Sequence, residues 1–450
     1  MKTKSIFRYT LVGFVLSIIT GSAATSLAAQ KRSQTLEALA SKSLTLVTDT
    51  EVGLEIEARC PGGSWARPGA EAAAILILVD GEYNQDLLLW AGDEFFRYRV
   101  LLGRLSKGKH TVSVVPNSAR SAPQVQRGEI KELRPIPLVS NTESKYDDDD
   151  LFAFAHSPFL YARANTIDRF TDLPLLMYFE ILHEGARDLI VRYTAIFTNE
   201  DGGTQTAALM SRWGRATDIE WVLQLRVRDG KILEETYQGV EHETKVFSGS
   251  RTNGRHPLLA TASDNNNFSD LASSVVRFAP LPTRARLESA TRESVMDAYP
   301  QSYRVMTEEL IRERRISDTP ANINTIADPR EYLYIEASSE QKGAALAFGV
   351  KVTGETNVFS SDMGEARLRI DRSGNFRTAV RLPKGASPST VETVTARCYE
   401  SATPSEKSGC YNLKLLRVLM LDQAFIPHEI PFASLPASSL AAGEVKVFKR

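Results

Sequence analysis

The sequence predicts a mainly β protein of several domains, built as β-sandwiches, with one helix near the end of its middle domain. Three observations carry this. Short alternations of apolar and polar residues recur along the chain, as half-buried strands require. Turn-forming residues punctuate them at the short intervals of a sandwich. Only residues 302–316 place apolar side chains (Val305, Met306, Leu310 and Ile311) at helical spacing with charges opposite.

The first 28 residues read as a secretory signal peptide. Lys2, Lys4 and Arg8 give a charged start, residues 9–19 are largely apolar, and Ser26 and Ala28 satisfy the small-x-small requirement of signal peptidase. That apolar run is shorter than the roughly 20 residues of a membrane span. The expectation is an extracytoplasmic protein, secreted or periplasmic, with no membrane span after signal removal. The remainder implies roughly two to four domains. A chain that is 42% hydrophobic and 24% charged, with net charge −1, lacks the basic surplus of a nucleic-acid binder.

The first domain is expected over residues 40–140 as an immunoglobulin-like sandwich. Residues 44–47 and 53–57 alternate, and the apolar run 73–79 ends at Asp80-Gly81, a hairpin signal. Residues 95–102 alternate again, and 106–109 turn into the strand 110–115. A polar linker, 140–146, leads to Asp147-Asp148-Asp149-Asp150, where the middle domain (147–328) begins. Its expected strands are 151–161, 175–182, 189–197, 218–227 and 232–237, and Pro300 stands where its helix begins. The C-terminal domain, 329–450, reads as a further sandwich with strands at 332–337, 344–352, 365–371, 376–382, 390–399 and 411–421.

Of the three cysteines, Cys398 and Cys410 flank a Ser/Thr/Pro/Gly-rich loop and are expected to form a disulfide in an oxidising compartment. Cys60 is left over and reads as a small buried residue. No Cys/His spacing resembles a zinc site, and no nucleophile elbow, phosphate loop or dinucleotide fingerprint occurs.

Chemistry concentrates in the middle domain. Residues 196–204 contain Gly202-Gly203, which let backbone approach a ligand closely. Asp218 and Glu220, two apart on a strand, share one face and suit a hard cation or acid–base work, with Trp213, Arg215 and His256 as neighbouring candidates. Asp264, Asn265 and Asp270 lie in a loop whose oxygens suit calcium or sugar hydroxyls. The run Asp147–Asp150 offers further oxygens for calcium, although adjacent acids without calcium-loop spacing form a solvated linker more often. His156, His183, His242 and His256 all fall in this domain but at spacings that match no helical ligand pair.

The order of segments carries a resemblance. His156-Ser157-Pro158-Phe159-Leu160-Tyr161 is followed by Asp172-Leu173-Pro174-Leu175, by residues 193–199, by Thr217-Asp218-Ile219-Glu220-Trp221 and by Gly254-Arg255-His256-Pro257, which runs on into residues 262–268. This resembles the vacuolar protein sorting-associated protein 62 family and, more distantly, the necrosis- and ethylene-inducing cytolysins. The resemblance implies a β-sandwich. Where those families place His-Asp-Trp-Glu, this chain has Thr217-Asp218-Ile219-Glu220, so only the two carboxylates carry over. Where a Ser-His follows the later strand, it has Ser263-Asp264.

Two functions follow as expectations. The first is a binding protein for carbohydrate, an envelope component or another protein, with Trp65, Trp90 and Trp213 as aromatics able to stack on sugars. The second is an extracytoplasmic polysaccharide hydrolase or lyase working through Asp218 and Glu220.

Overall fold

A computed structural model describes residues 37–450, except 126, 141–145, 164–165, 167–169, 186, 201, 272, 321, 402–406 and 434. The expected signal peptide and most of the linker before Asp147 lie outside the described residues.

The chain is mostly β, as its alternation predicts, and its strands assemble as three successive pairs of sheets. In the first pair, Ala40–Leu46, Gly108–Pro116, Ala74–Val79 and Glu82–Leu88 form one sheet, and Phe96–Leu105, Thr50–Arg59 and Glu129–Pro137 the other. Ile75 and Ile77 point into the shared core and are fully buried, while Leu76 and Leu78 are not. Full burial of one such side chain stabilises by about 1.5–3 kcal/mol. The hairpin predicted at Asp80-Gly81 is present. Both residues take positive φ (52° and 84°), as a tight primed turn demands.

The middle pair holds a six-stranded sheet in the order Thr244–Val246, Lys231–Gln238, Ile219–Arg228, Asp188–Phe197, Pro174–His183, Thr283–Arg284. Against it lies a sheet of short strands around His256–Thr261 and Phe159–Tyr161, which pair in parallel. The third pair centres on Tyr332–Lys342 and Gly409–Leu421 in one sheet and on Ala344–Val352 and Val391–Glu400 in the other. Residues 365–371 are not the expected strand. Ala366–Leu368 form a 3₁₀ turn, and Ile370 makes only a single bridge to Leu346.

Helices are more numerous than predicted. Residues 151–161 do not form one strand: helix α1 (Asp148–His156) precedes a short strand, Phe159–Tyr161. The four aspartates explain why. Asp147 caps the helix, accepting from Asp150 N while the Asp150 side chain accepts from Asp147 N, and the acidic first turn complements the helix dipole. Arg284 pairs with Asp147 and Asp150, so this run is a cap rather than a solvated linker. Helix α2 (Thr206–Trp213) and the short α3 (Ser294–Asp297) also had no counterpart in the sequence pattern. The predicted helix is α4 (Gln301–Arg312), entered through Pro300.

The sheet pairs share cores. Phe278 and Val305, from the middle region, pack into the first core, and Tyr178 and Ile196 share a cluster with Tyr334 and Leu419 of the C-terminal region. Backbone bonds cross the first boundary: Leu101 N donates to Ala279 O and Leu281 N to Arg99 O, both at or below 3.0 Å. Across the second, the buried Arg377 guanidinium meets Asp297 of α3 at 2.6 Å, while Glu336 of its own sheet holds it at 2.5 Å.

The predicted disulfide is formed: Cys398 and Cys410 join the two sheets of the C-terminal pair across a separation of 12 residues. For a loop of that length, removing the bridge with Cys398→Ala/Cys410→Ala is expected to cost about 2–3 kcal/mol. Urea unfolding of the double variant measures it; an unchanged midpoint would show that the bridge adds nothing. Cys60 is free and buried, and burial pushes its thiol up to about 11.

Candidate functional site

Antiparallel order brings several strand ends to one edge of the middle sandwich. Asp188–Phe197 and Lys231–Gln238 end there, whereas Pro174–His183 and Ile219–Arg228 begin there. From the facing sheet, His256–Thr261 ends at the same edge and passes into the turn 262–267. Loops held on such a rigid frame are where binding residues concentrate.

Asp218 and Glu220 lie at this edge. Asp218 is only 2% exposed and accepts from Asn266 Nδ2 at 3.0 Å. The same amide donates to Asp172 at 3.1 Å, and its own Oδ1 has no partner. The Glu220 side chain is 15% exposed and accepts from Gln238 Nε2. His242, 54% exposed at its side chain, stands with Nδ1 2.7 Å from Gln238 Nε2 and Nε2 2.8 Å from Asn265 Nδ2. Asn267 Nδ2 lies 3.4 Å from the same ring. A third carboxyl, Glu200, is buried on the neighbouring loop with Oε1 unpartnered.

The electrostatics follow from burial without pairing. Burial first, and then the Asp218 carboxylate, pushes Glu220 up to about 8 and Glu200 up to about 7. Burial also lifts Asp218, against the opposing pull of Arg215. Near neutral pH Glu220 therefore tends to hold its proton, and a protonated carboxyl both donates and accepts hydrogen bonds.

Backbone strain gathers at the same place. Among the described residues twelve non-glycine residues have positive φ, and four of them, Asp172, Glu241, His242 and Asn266, belong to this network or its loop. Glu241 and His242 are consecutive, at 61° and 60°. Each such residue costs on the order of 1 kcal/mol, and strain of this kind clusters at ligand clamps and active sites. The glycine-rich loop also contributes: a Cβ on Gly202 would stand 2.4 Å from the Asp264 carbonyl, so only glycine lets the two loops pack.

The other predicted residues are dispersed. Arg215 is near the carboxyls, but its Nε donates to Glu293 at 3.1 Å. Trp213 packs instead between Arg212 and Arg372, each guanidinium carbon 5.0 Å from a ring centroid. His256 is at the far end of its strand, fully buried, with Nε2 3.1 Å from Glu51 of the first sandwich and Nδ1 3.0 Å from Ser157 O. It is a structural tie, not a neighbour of Asp218. His156 is bound to Phe152 O, and His183 is exposed. Asp264, Asn265 and Asp270 do not converge: Asp264 pairs with Arg163, Asn265 meets His242, and Asp270 accepts from Ser248 and Tyr237. Among the described residues no three His, Cys, Asp or Glu side chains are grouped to hold a metal ion. Trp65 is buried, its Nε1 donating to Trp90 O at 2.9 Å. Gln238 was not singled out from sequence, and Glu200 and Asp172 stood only inside longer segments, since a lone polar residue at a strand end carries no pattern.

No family model and no curated protein matches this chain. Among solved structures, a sugar-binding protein, the C-terminal domain of EclA, aligns at 21% identity and TM-score 0.17 over 22% of this chain and 66% of its own. The GH26-CBM35 β-(1,4)-mannanase of Podospora anserina aligns at 12% identity and TM-score 0.16, over 28% of this chain and 29% of its own. The chain thus spans less than two thirds of either neighbour. No helix among the described residues is long and apolar enough to cross a membrane.

Proposed function

We propose that this protein is an extracytoplasmic binding protein whose middle sandwich recognises a neutral, polyhydroxylated ligand, a carbohydrate, at the edge formed by Glu220, His242 and Asn265, with the buried Gln238 and Asn267 amides holding them from behind. The observation that carries the reading is the Glu220 carboxyl, pushed up to about 8, beside the Asn265 amide and the exposed His242 imidazole on a strained loop. Such groups donate and accept hydrogen bonds with little charge, which matches hydroxyls better than ions. Binding is favoured over two-carboxylate hydrolysis because Asp218 has almost no path to solvent, leaving Glu220 as the member of the pair that reaches the edge. The signal-like pattern of residues 1–28 and the Cys398–Cys410 bridge support the location.

Titration calorimetry of the mature protein against neutral oligosaccharides tests this. Saturable binding is expected, weakened about tenfold or more by His242→Ala and Glu220→Ala, each of which removes a hydrogen-bonding group. Binding that both variants retain in full would place the ligand elsewhere, and release of reducing ends would overturn the non-catalytic reading.

A further inference from the structure

A cavity of about 410 Å³ lies between helix α2, residues 322–326 and the C-terminal sheet pair. That volume is in the range of small-molecule sites, which favour boundaries between packed units. Its floor is apolar: Met210, Ile326, Tyr332 and Ala379 face it and are themselves almost fully buried. Its wall is fixed by backbone bonds, Ala207 N to Ile323 O and Ile326 N to Arg315 O, both 2.9 Å.

The rim is charged. Arg367 Nε donates to Glu365 at 2.7 Å and its Nη1 to Gln205 at 3.4 Å, leaving Nη2 without a partner among the described residues. Arg381 Nη2 donates to Asp318 O at 2.6 Å, and its Nε and Nη1 are likewise free of partners there. Glu365 offsets one of the two guanidinium charges, so the rim carries a single net positive charge. Met363 completes the mouth: it is 55% exposed with φ 47°, an apolar, flexible side chain held out on a left-handed backbone.

We propose that this cavity binds a small amphipathic organic monoanion, its apolar body on Met210, Ile326, Tyr332 and Ala379 and its carboxylate on Arg367 and Arg381. The floor excludes water from the ligand's chain, and the free N–H groups at the rim supply charge-assisted hydrogen bonds. None of these residues belongs to the polyol edge of the middle sandwich, so the two sites stand or fall separately.

Titration of the mature protein with decanoate, decanol and acetate tests the proposal. Decanoate is expected to bind saturably. Decanol, which lacks the charge, and acetate, which lacks the chain, are each expected to bind about tenfold or more weakly than decanoate. The double variant Arg367→Gln/Arg381→Gln should weaken decanoate by a similar factor while leaving decanol unchanged. Because these arginines also bond to neighbouring segments, Met363→Asp is the companion variant. It sets a like charge at the exposed mouth and should weaken decanoate with no change in thermal midpoint. Absence of saturable decanoate binding to millimolar concentration, or equal affinity in parent and both variants, overturns the proposal.

Discussion

Replacing Arg377 with alanine is expected to lower stability by about 3–5 kcal/mol, the usual cost of breaking a buried ion pair from one side. Arg377 is fully buried. It contacts Asp297 through Nη1 (3.1 Å) and Nη2 (2.6 Å), and Glu336 through Nε (2.9 Å). Tyr303 adds its hydroxyl at 2.5 Å, and Arg417 meets both carboxylates from the more exposed side. Two guanidinium groups against two carboxylates leave the cluster neutral. Burial alone would raise both carboxyls, but Arg377, with Arg417, outweighs it and holds them below their usual range. Without Arg377 one negative charge remains uncompensated where water cannot solvate it. For a cooperative unit of this size the melting point should fall by roughly 4–6 °C, and calorimetry measures it. A loss below about 1 kcal/mol would mean that Arg417 alone neutralises the pair.

Raising the pH from about 5 to about 9 is expected to weaken the fold by on the order of 4 kcal/mol, and Glu220→Gln should recover much of that loss. Glu200, Asp218 and Glu220 are all raised, Glu200 to about 7 and Glu220 to about 8. A carboxyl with a raised folded pKa binds its proton more tightly folded than unfolded. Its stabilising contribution is therefore complete below the unfolded value, 4.5 for glutamate, and is lost as pH rises through the folded value. Arg215 and Arg292 pull Glu220 the other way without reversing the direction. Glutamine cannot ionise, so parent and variant should have similar urea midpoints near pH 5, with the variant ahead near pH 9. A variant that tracks the parent at both pH values would show that Glu220 ionises freely in the folded protein.

The legible parts of this fold are those set by neighbours in sequence. Alternation located the long strands, Asp80-Gly81 located a hairpin, and loop composition located the Cys398–Cys410 bridge. Residues 151–161 misled because an apolar run fits a strand as well as a buried helix. The deciding signal was the Asp147–Asp150 capping box, which reads first as a charge run. The candidate site was half legible. Asp218 and Glu220 were singled out by their shared strand face, and Asn265 by its polar loop. Their companions come from distant segments: Asn266 meets Asp172 across 94 residues, and Gln238 meets Glu220 across a hairpin. His256 misled for the same reason, its partner Glu51 being 205 residues away. Local pattern names the residue types but not which strand ends come to lie side by side.

The shared cores carry a consequence for how the chain acquires its shape during synthesis. Phe278 and Val305 complete the core of the first sandwich, and Ala279 and Leu281 pair with its Phe96–Leu105 strand. A polypeptide emerging N-terminus first from the ribosome therefore cannot seal that core until about two thirds of its length has been made. The leading segment must wait, with Leu101 and Val100 uncovered, in reach of chaperones and proteases. The disulfide between Cys398 and Cys410 can form only after that stage.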